Sequence, residues 1–251
     1  MKKNFVLTNI INVSKSQKEN NYFTNDYANK TGVIIKTLFL LLISLFSGIF
    51  SFRLIFNLSI FFNPLKIAFF CISCSTALCI GLLFYSCFAK YNSLRTVSIL
   101  YALFEGILLG SAFVVMDVNN FILLPVFMFA LICVCFIFVL MNVLYSFNII
   151  KVNSRLLTFL IILTVFVFST WTINIFMDNT VLSTLAIFGT IVLASLNLVQ
   201  NFQEVEYLTR LKLDKKYEWP LAFSFRIIFI SLFTDFLLLL LEYTRIRDKR
   251  I

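Results

Sequence analysis

The chain contains no histidine. That one absence removes imidazole general bases, HExxH zinc sites and serine–histidine nucleophile pairs. Charge is scarce as well. Only 13% of the 251 residues are charged, against about 25% in soluble domains. Apolar residues make up 61% of the chain, more than one core of this length can bury, so lipid is the expected solvent for much of the surface. No secretory signal peptide is expected, because the first long apolar run starts only near Val33 and no small-residue cleavage site follows it.

The cysteines exclude less than their number suggests. Cys71, Cys74, Cys79, Cys87, Cys133 and Cys135 all fall inside apolar runs. Cys71 and Cys74 have CxxC spacing, but an apolar environment disfavours the thiolate that redox or metal chemistry needs. All six read as small packing residues, and neither a cofactor nor a bound metal is expected. The net charge of +9 comes from Lys and Arg concentrated in the termini and the connections between apolar runs. That pattern sets topology and contacts lipid headgroups. The expected partner is therefore the bilayer, not nucleic acid.

What the chain does have is about seven apolar runs, near 33–52, 67–88, 94–116, 121–145, 156–176, 181–203 and 220–243. Each is close to the ~20 residues that cross a bilayer as a helix. The expected fold is an all-α integral membrane bundle over 31–245. A polar segment, 1–30, precedes it and a short basic tail, 246–251, follows. Val6, Ile10 and Val13 stand at i, i+4, i+7, a spacing that permits a short interfacial helix in the first segment. Asn63 and Pro64 break the chain before the second span, and Asp117–Asn120 and Asp178–Thr180 read as turns. The longest internal connection is expected near 204–219. Lys and Arg are denser in the segments that share a side with the N-terminus, which predicts a cytoplasmic N-terminus in a multi-pass protein of the cell membrane. The basic tail TRIRDKRI runs against that rule.

Polar groups inside the spans are costly, at roughly 3 kcal/mol for a carboxylate on insertion scales, and are the candidates for function. Asp235 sits in FRIIFISLFTDFLLLLLEY and Glu105 near the middle of SILYALFEGILLGSAF. Ser98, Ala102, Gly106 and Gly110 recur every four residues beside Glu105, a small-residue stripe that lets helix backbones approach. In the sixth span Asn197, Asn201 and Glu204 share a face at i, i+4, i+7, a candidate vestibule lining. Asp235 and Glu242, seven apart, also share a face. Arg226 is nine residues from Asp235, on the opposite face, so a cation partner for Asp235 has to come from another span. An acid buried without such a partner is a candidate pH sensor or ion ligand.

These segments resemble a known family. YALFEGILLGSAF resembles the Glu-Gly motif of the third span of the Bax inhibitor-1-like proteins, and LFTDFLLLLLEY resembles their last span. SLNLVQNFQEVE, KKYEW and FNIIKVNSRL resemble segments of a bacterial branch of that family. The resemblance implies a seven-helix membrane bundle and a pH-sensitive calcium leak, with Ca2+ or H+ as the permeating ion. Two acids in the last two spans would share a proton as sensor. The last-span acid maps onto Asp235. The other maps near Asn201 or Gln203, where this chain has amides. An amide cannot share a proton with a carboxylate, so a shallower pH response is implied. Helix rise also separates Asn201 from Asp235 in depth, unless the segment before Trp219 is irregular. The alternative reading is a non-conducting regulator that binds a membrane protease or a stress-response partner. Enzyme function is not expected, since Asp235 lacks the second acid and the Gly-rich surroundings of an intramembrane aspartyl protease.

Overall fold

A computed structural model describes residues 27–58, 63–88, 91–118, 123–147, 149–150, 153–177 and 179–248. Seven α-helices carry the described chain: α1 Lys30–Leu58, α2 Pro64–Phe88, α3 Tyr91–Val118, α4 Leu123–Ser146, α5 Ser154–Met177, α6 Thr180–Arg210 and α7 Glu218–Asp248. Each is long and apolar enough to cross a membrane. No strand occurs among the described residues, only an isolated bridge between Tyr27 and Asp214. The all-α membrane class expected from composition is therefore what is observed. The basis is local: a helix pairs every backbone polar group within itself, as lipid demands.

Helix ends follow from side-chain chemistry. Asn63 accepts from Leu65 N at 3.0 Å and Pro64 opens α2, where its missing N–H costs nothing. Asn179 caps α6, accepting from Val181 N at 2.9 Å. Several ends differ from expectation. α3 continues through Asp117 to Val118, so Asp117 is helical and not part of a turn. α6 does not stop near 203 but runs to Arg210, and the connection expected over 204–219 shrinks to 211–217. The apolar run ends where predicted, but Asn201, Val205 and Leu208 remain buried at helical spacing and carry the helix further. It then closes through Lys212, the left-handed position usually taken by glycine (φ 49°). Lys212 N donates to Thr209 O at 3.2 Å and Leu213 N to Leu208 O at 3.4 Å, the paired bonds that terminate a helix. α7 likewise absorbs residues 246–248 of the expected tail. The candidate interfacial helix around Val6, Ile10 and Val13 lies outside the described residues.

The chain divides into two units. One comprises residues 31–125 and 216–226, hence α1, α2, α3 and the first turns of α7. Here α1 crosses α3 on a seam of small residues. A Cβ added at Gly48 would stand 3.2 Å from Gly106 O. A Cβ at Gly106 would overlap the Ser44 carbonyl and the Ser47 hydroxyl, and one at Gly110 the Gly48 carbonyl and Ser51. Ser98, Ala102, Gly106 and Gly110 are all buried. Ile55, Ala68 and Val114 form a small core beyond the seam, joined by Phe52, Ile67 and Cys71.

The other unit comprises residues 1–30, 126–215 and 227–251, hence most of α4, all of α5 and α6, and the rest of α7. α5 packs on α6, where Gly189 admits Val167: a Cβ there would lie 2.8 Å from Val167 Cγ2. Edge-to-face ring pairs join α4 to α6 (Phe138–Phe202, 5.5 Å) and α4 to α7 (Phe127–Phe233, 5.0 Å). Ala28 N donates to Leu213 O at 2.7 Å, which ties the start of the described chain to the connection before α7. Bulky apolar side chains such as Phe46, Phe70, Phe136 and Phe168 stay exposed on the helices, a surface that suits lipid and not water.

Candidate functional site: buried acids and their partners

Arg226 and Asp235 of the last helix lie on opposite faces, and the two have different surroundings. Arg226 is completely buried and forms an ion pair with Glu105 of α3, whose side chain is 14% exposed. Tyr101, one turn before Glu105, completes the group. Its hydroxyl donates to Glu105 Oε1 at 3.4 Å, and the Arg226 guanidinium lies 5.2 Å from its ring centroid. Phe223, one turn before Arg226, packs edge-to-face on the same ring at 5.2 Å. Arg226, the candidate charge partner within the last span, is thus taken by Glu105 of another span, and the two charges cancel locally. A guanidinium has five N–H donors, yet Arg226 Nε and Nη1 have no hydrogen-bond partner among the described residues. Glu105 is accordingly occupied and does not present an open carboxylate.

Asp235 is placed otherwise. It is half-buried, and its hydrogen-bonding neighbour is Thr190 of α6. The Thr190 hydroxyl also donates to Ile187 O at 2.7 Å. A hydroxyl has one proton, so Thr190 serves the Asp235 carboxylate and the Ile187 carbonyl only by sharing it. Asp235 Oδ2 is buried with no hydrogen-bond partner, and no cationic side chain pairs with the carboxylate among the described residues. Such an oxygen can take a proton or approach a cation, and its surroundings offer it nothing else.

This geometry corrects the expected neighbourhood of Asp235. Asn201 and Gln203 do not face it. Thr190 does, eleven residues earlier in α6, about 16 Å of helix rise from Asn201. The reason is the short connection: α6 and α7 turn near Leu213, so residues equally far from that turn meet, and Asp235 reaches the level of Thr190. Asn201 is buried, Asn197 and Glu242 are half-buried, and Gln203 is exposed. Near the end of α6, Gln200 donates to Glu204 at 3.2 Å, while Tyr145 and Arg210 both donate to Glu206, Arg210 at 2.6 Å. These acids are engaged as well.

A third buried acid went unread in the sequence. Glu218 opens α7 with 1% exposure and pairs with Lys36 of α1 at 2.7 Å. Gly32 makes room for it, since a Cβ there would overlap the Glu218 carboxylate. The signal was Lys36, a lone cation inside an apolar run. Tyr101, four residues before Glu105, was equally visible. Thr190 had no such signal. Cys71, Cys74, Cys79, Cys133 and Cys135 are free thiols. No group of three Cys, Asp or Glu that could hold a metal ion is assembled among the described residues.

A search of curated proteins finds no match to the sequence. The sequence model described as Bax inhibitor 1 like matches residues 8–245, nearly the whole chain, including both the Glu-Gly segment and the last span. With seven membrane-length helices over the same residues, the chain belongs to the Bax inhibitor 1-like family.

Proposed function

We propose that the protein lets cations or protons cross the cell membrane, with Asp235 as the acid that meets the ion. The observation that carries this reading is the contrast between Glu105 of α3 and Asp235 of α7. Glu105 is neutralised by Arg226, whereas Asp235 keeps a buried oxygen without a partner. Keeping a carboxylate at that depth costs several kcal/mol without a functional return. A calcium ion takes six to eight oxygens, so one carboxylate gives a transient contact suited to passage and not to storage. The orientation that goes with this reading has the N-terminus in the cytoplasm. The Ala28–Leu213 hydrogen bond supports it, because it joins the residues just before α1 to the connection that holds Lys212, Lys215 and Lys216.

Purified protein in liposomes loaded with a calcium or pH dye tests the reading. Flux is expected above that of empty liposomes, and Asp235→Asn should reduce it to near background while melting stays unchanged. Equal flux in both proteins would refute the assignment. A pH titration of the flux should follow a single proton, since Thr190 cannot share one as a second acid would. A steep, two-proton profile would point to another acid.

A further inference from the structure

The beginnings of α1, α3 and α7 meet around the indole of Trp219. Lys36 Nζ lies 5.0 Å from the ring centroid and the Arg95 guanidinium lies 5.2 Å from it. The two cations are not equivalent. Lys36 is balanced by Glu218. Arg95 is exposed and has no carboxylate partner among the described residues, so its charge is the net charge of the cluster. The indole holds the Arg95 charge by cation–π attraction and accepts none of its N–H donors in a conventional hydrogen bond, and such donors can take a phosphate in bidentate fashion. We propose that Arg95, on its Trp219 platform and supported by Lys36, binds the phosphate of an anionic phospholipid headgroup.

The choice of a lipid over a free phosphate rests on what lies along the same helices. Ile35, Leu38 and Phe39 of α1 are 60%, 55% and 47% exposed beside Lys36, and Leu100 and Leu103 of α3 are exposed beyond Arg95. Acyl chains have an apolar bed there, and a soluble anion has no use for one. Arg95 near the start of α3 and Trp219 near the start of α7 also match headgroup depth, where an amphipathic ring and a charged tip are both satisfied.

Native mass spectrometry of the detergent-purified protein tests this, with phosphatidylglycerol, phosphatidylcholine and inorganic phosphate as separate probes. Phosphatidylglycerol is expected to stay bound where phosphatidylcholine dissociates. Arg95→Gln should lower its retention about fivefold, the contribution of one basic residue near an anionic surface. Arg95→Lys keeps the charge and loses the fork, so its retention should fall between the two. Trp219→Phe, which leaves both cations in place, should also lower retention. The proposal is overturned if Arg95→Gln holds phosphatidylglycerol as the parent does, or if phosphatidylcholine is retained equally. It is also overturned if inorganic phosphate displaces phosphatidylglycerol at equal concentration, which would make this a free-anion site.

Discussion

Arg226→Leu is expected to lower stability by about 3–5 kcal/mol, the range found when one member of a buried ion pair is removed. The loss comes less from the missing attraction than from what stays behind. Glu105 would keep its carboxylate, 14% exposed, with only a long bond from the Tyr101 hydroxyl. The double variant Glu105→Gln with Arg226→Leu is therefore expected to be more stable than Arg226→Leu alone, although it carries one more substitution. Thermal melting in a single detergent gives the ranking. Losses that simply add would mean that the two side chains act independently, contrary to the geometry. Tyr101→Phe is the small-effect control. It keeps the ring under the guanidinium and removes one hydrogen bond, worth about 1 kcal/mol.

Gly106→Ala should destabilise, although alanine is the better helix former by about 1 kcal/mol. The sign is set by space. A methyl at Gly106 meets the Ser44 carbonyl, which belongs to a helix backbone and cannot rotate away. Forcing extra atoms into a packed interior costs about 1–3 kcal/mol, and Gly106→Val should exceed that range. Gly81 is the internal comparison. Nothing stands within 4 Å of a Cβ there, so Gly81→Ala should raise the melting temperature. If both alanines moved it the same way, the tight seam between α1 and α3 would be wrong.

Much of the fold could be read from the chain because lipid imposes simple rules. Seven apolar runs became seven helices, and the stripe Ser98, Ala102, Gly106, Gly110 is buried at a close helix crossing. Helix ends were less legible. α6 passes its last apolar run because Val205 and Leu208 still find cover, a tertiary fact that hydropathy does not record. At the site, the candidate acids were legible and their partners were not. Helical spacing could separate Arg226 from Asp235, but could not say that α3 supplies Glu105 or α6 supplies Thr190. Those pairings depend on which residues lie at equal depth, and one short connection, 211–217, sets the depth for α6 and α7. Glu218 was hidden because KKYEW looked like a polar connection, whereas its carboxylate is enclosed against Gly32.

That enclosure also restricts how the gene can drift. A side chain at position 32 would meet the Glu218 carboxylate, the far end of a flexible side chain, which would have to shift relative to Lys36. A chain carrying Gly32→Ala should be rescued most readily by a second change that shortens the acid, such as Glu218→Asp. Selection for restored expression would then recover the two codons as a pair, and relatives that lack the glycine should also lack the long acid.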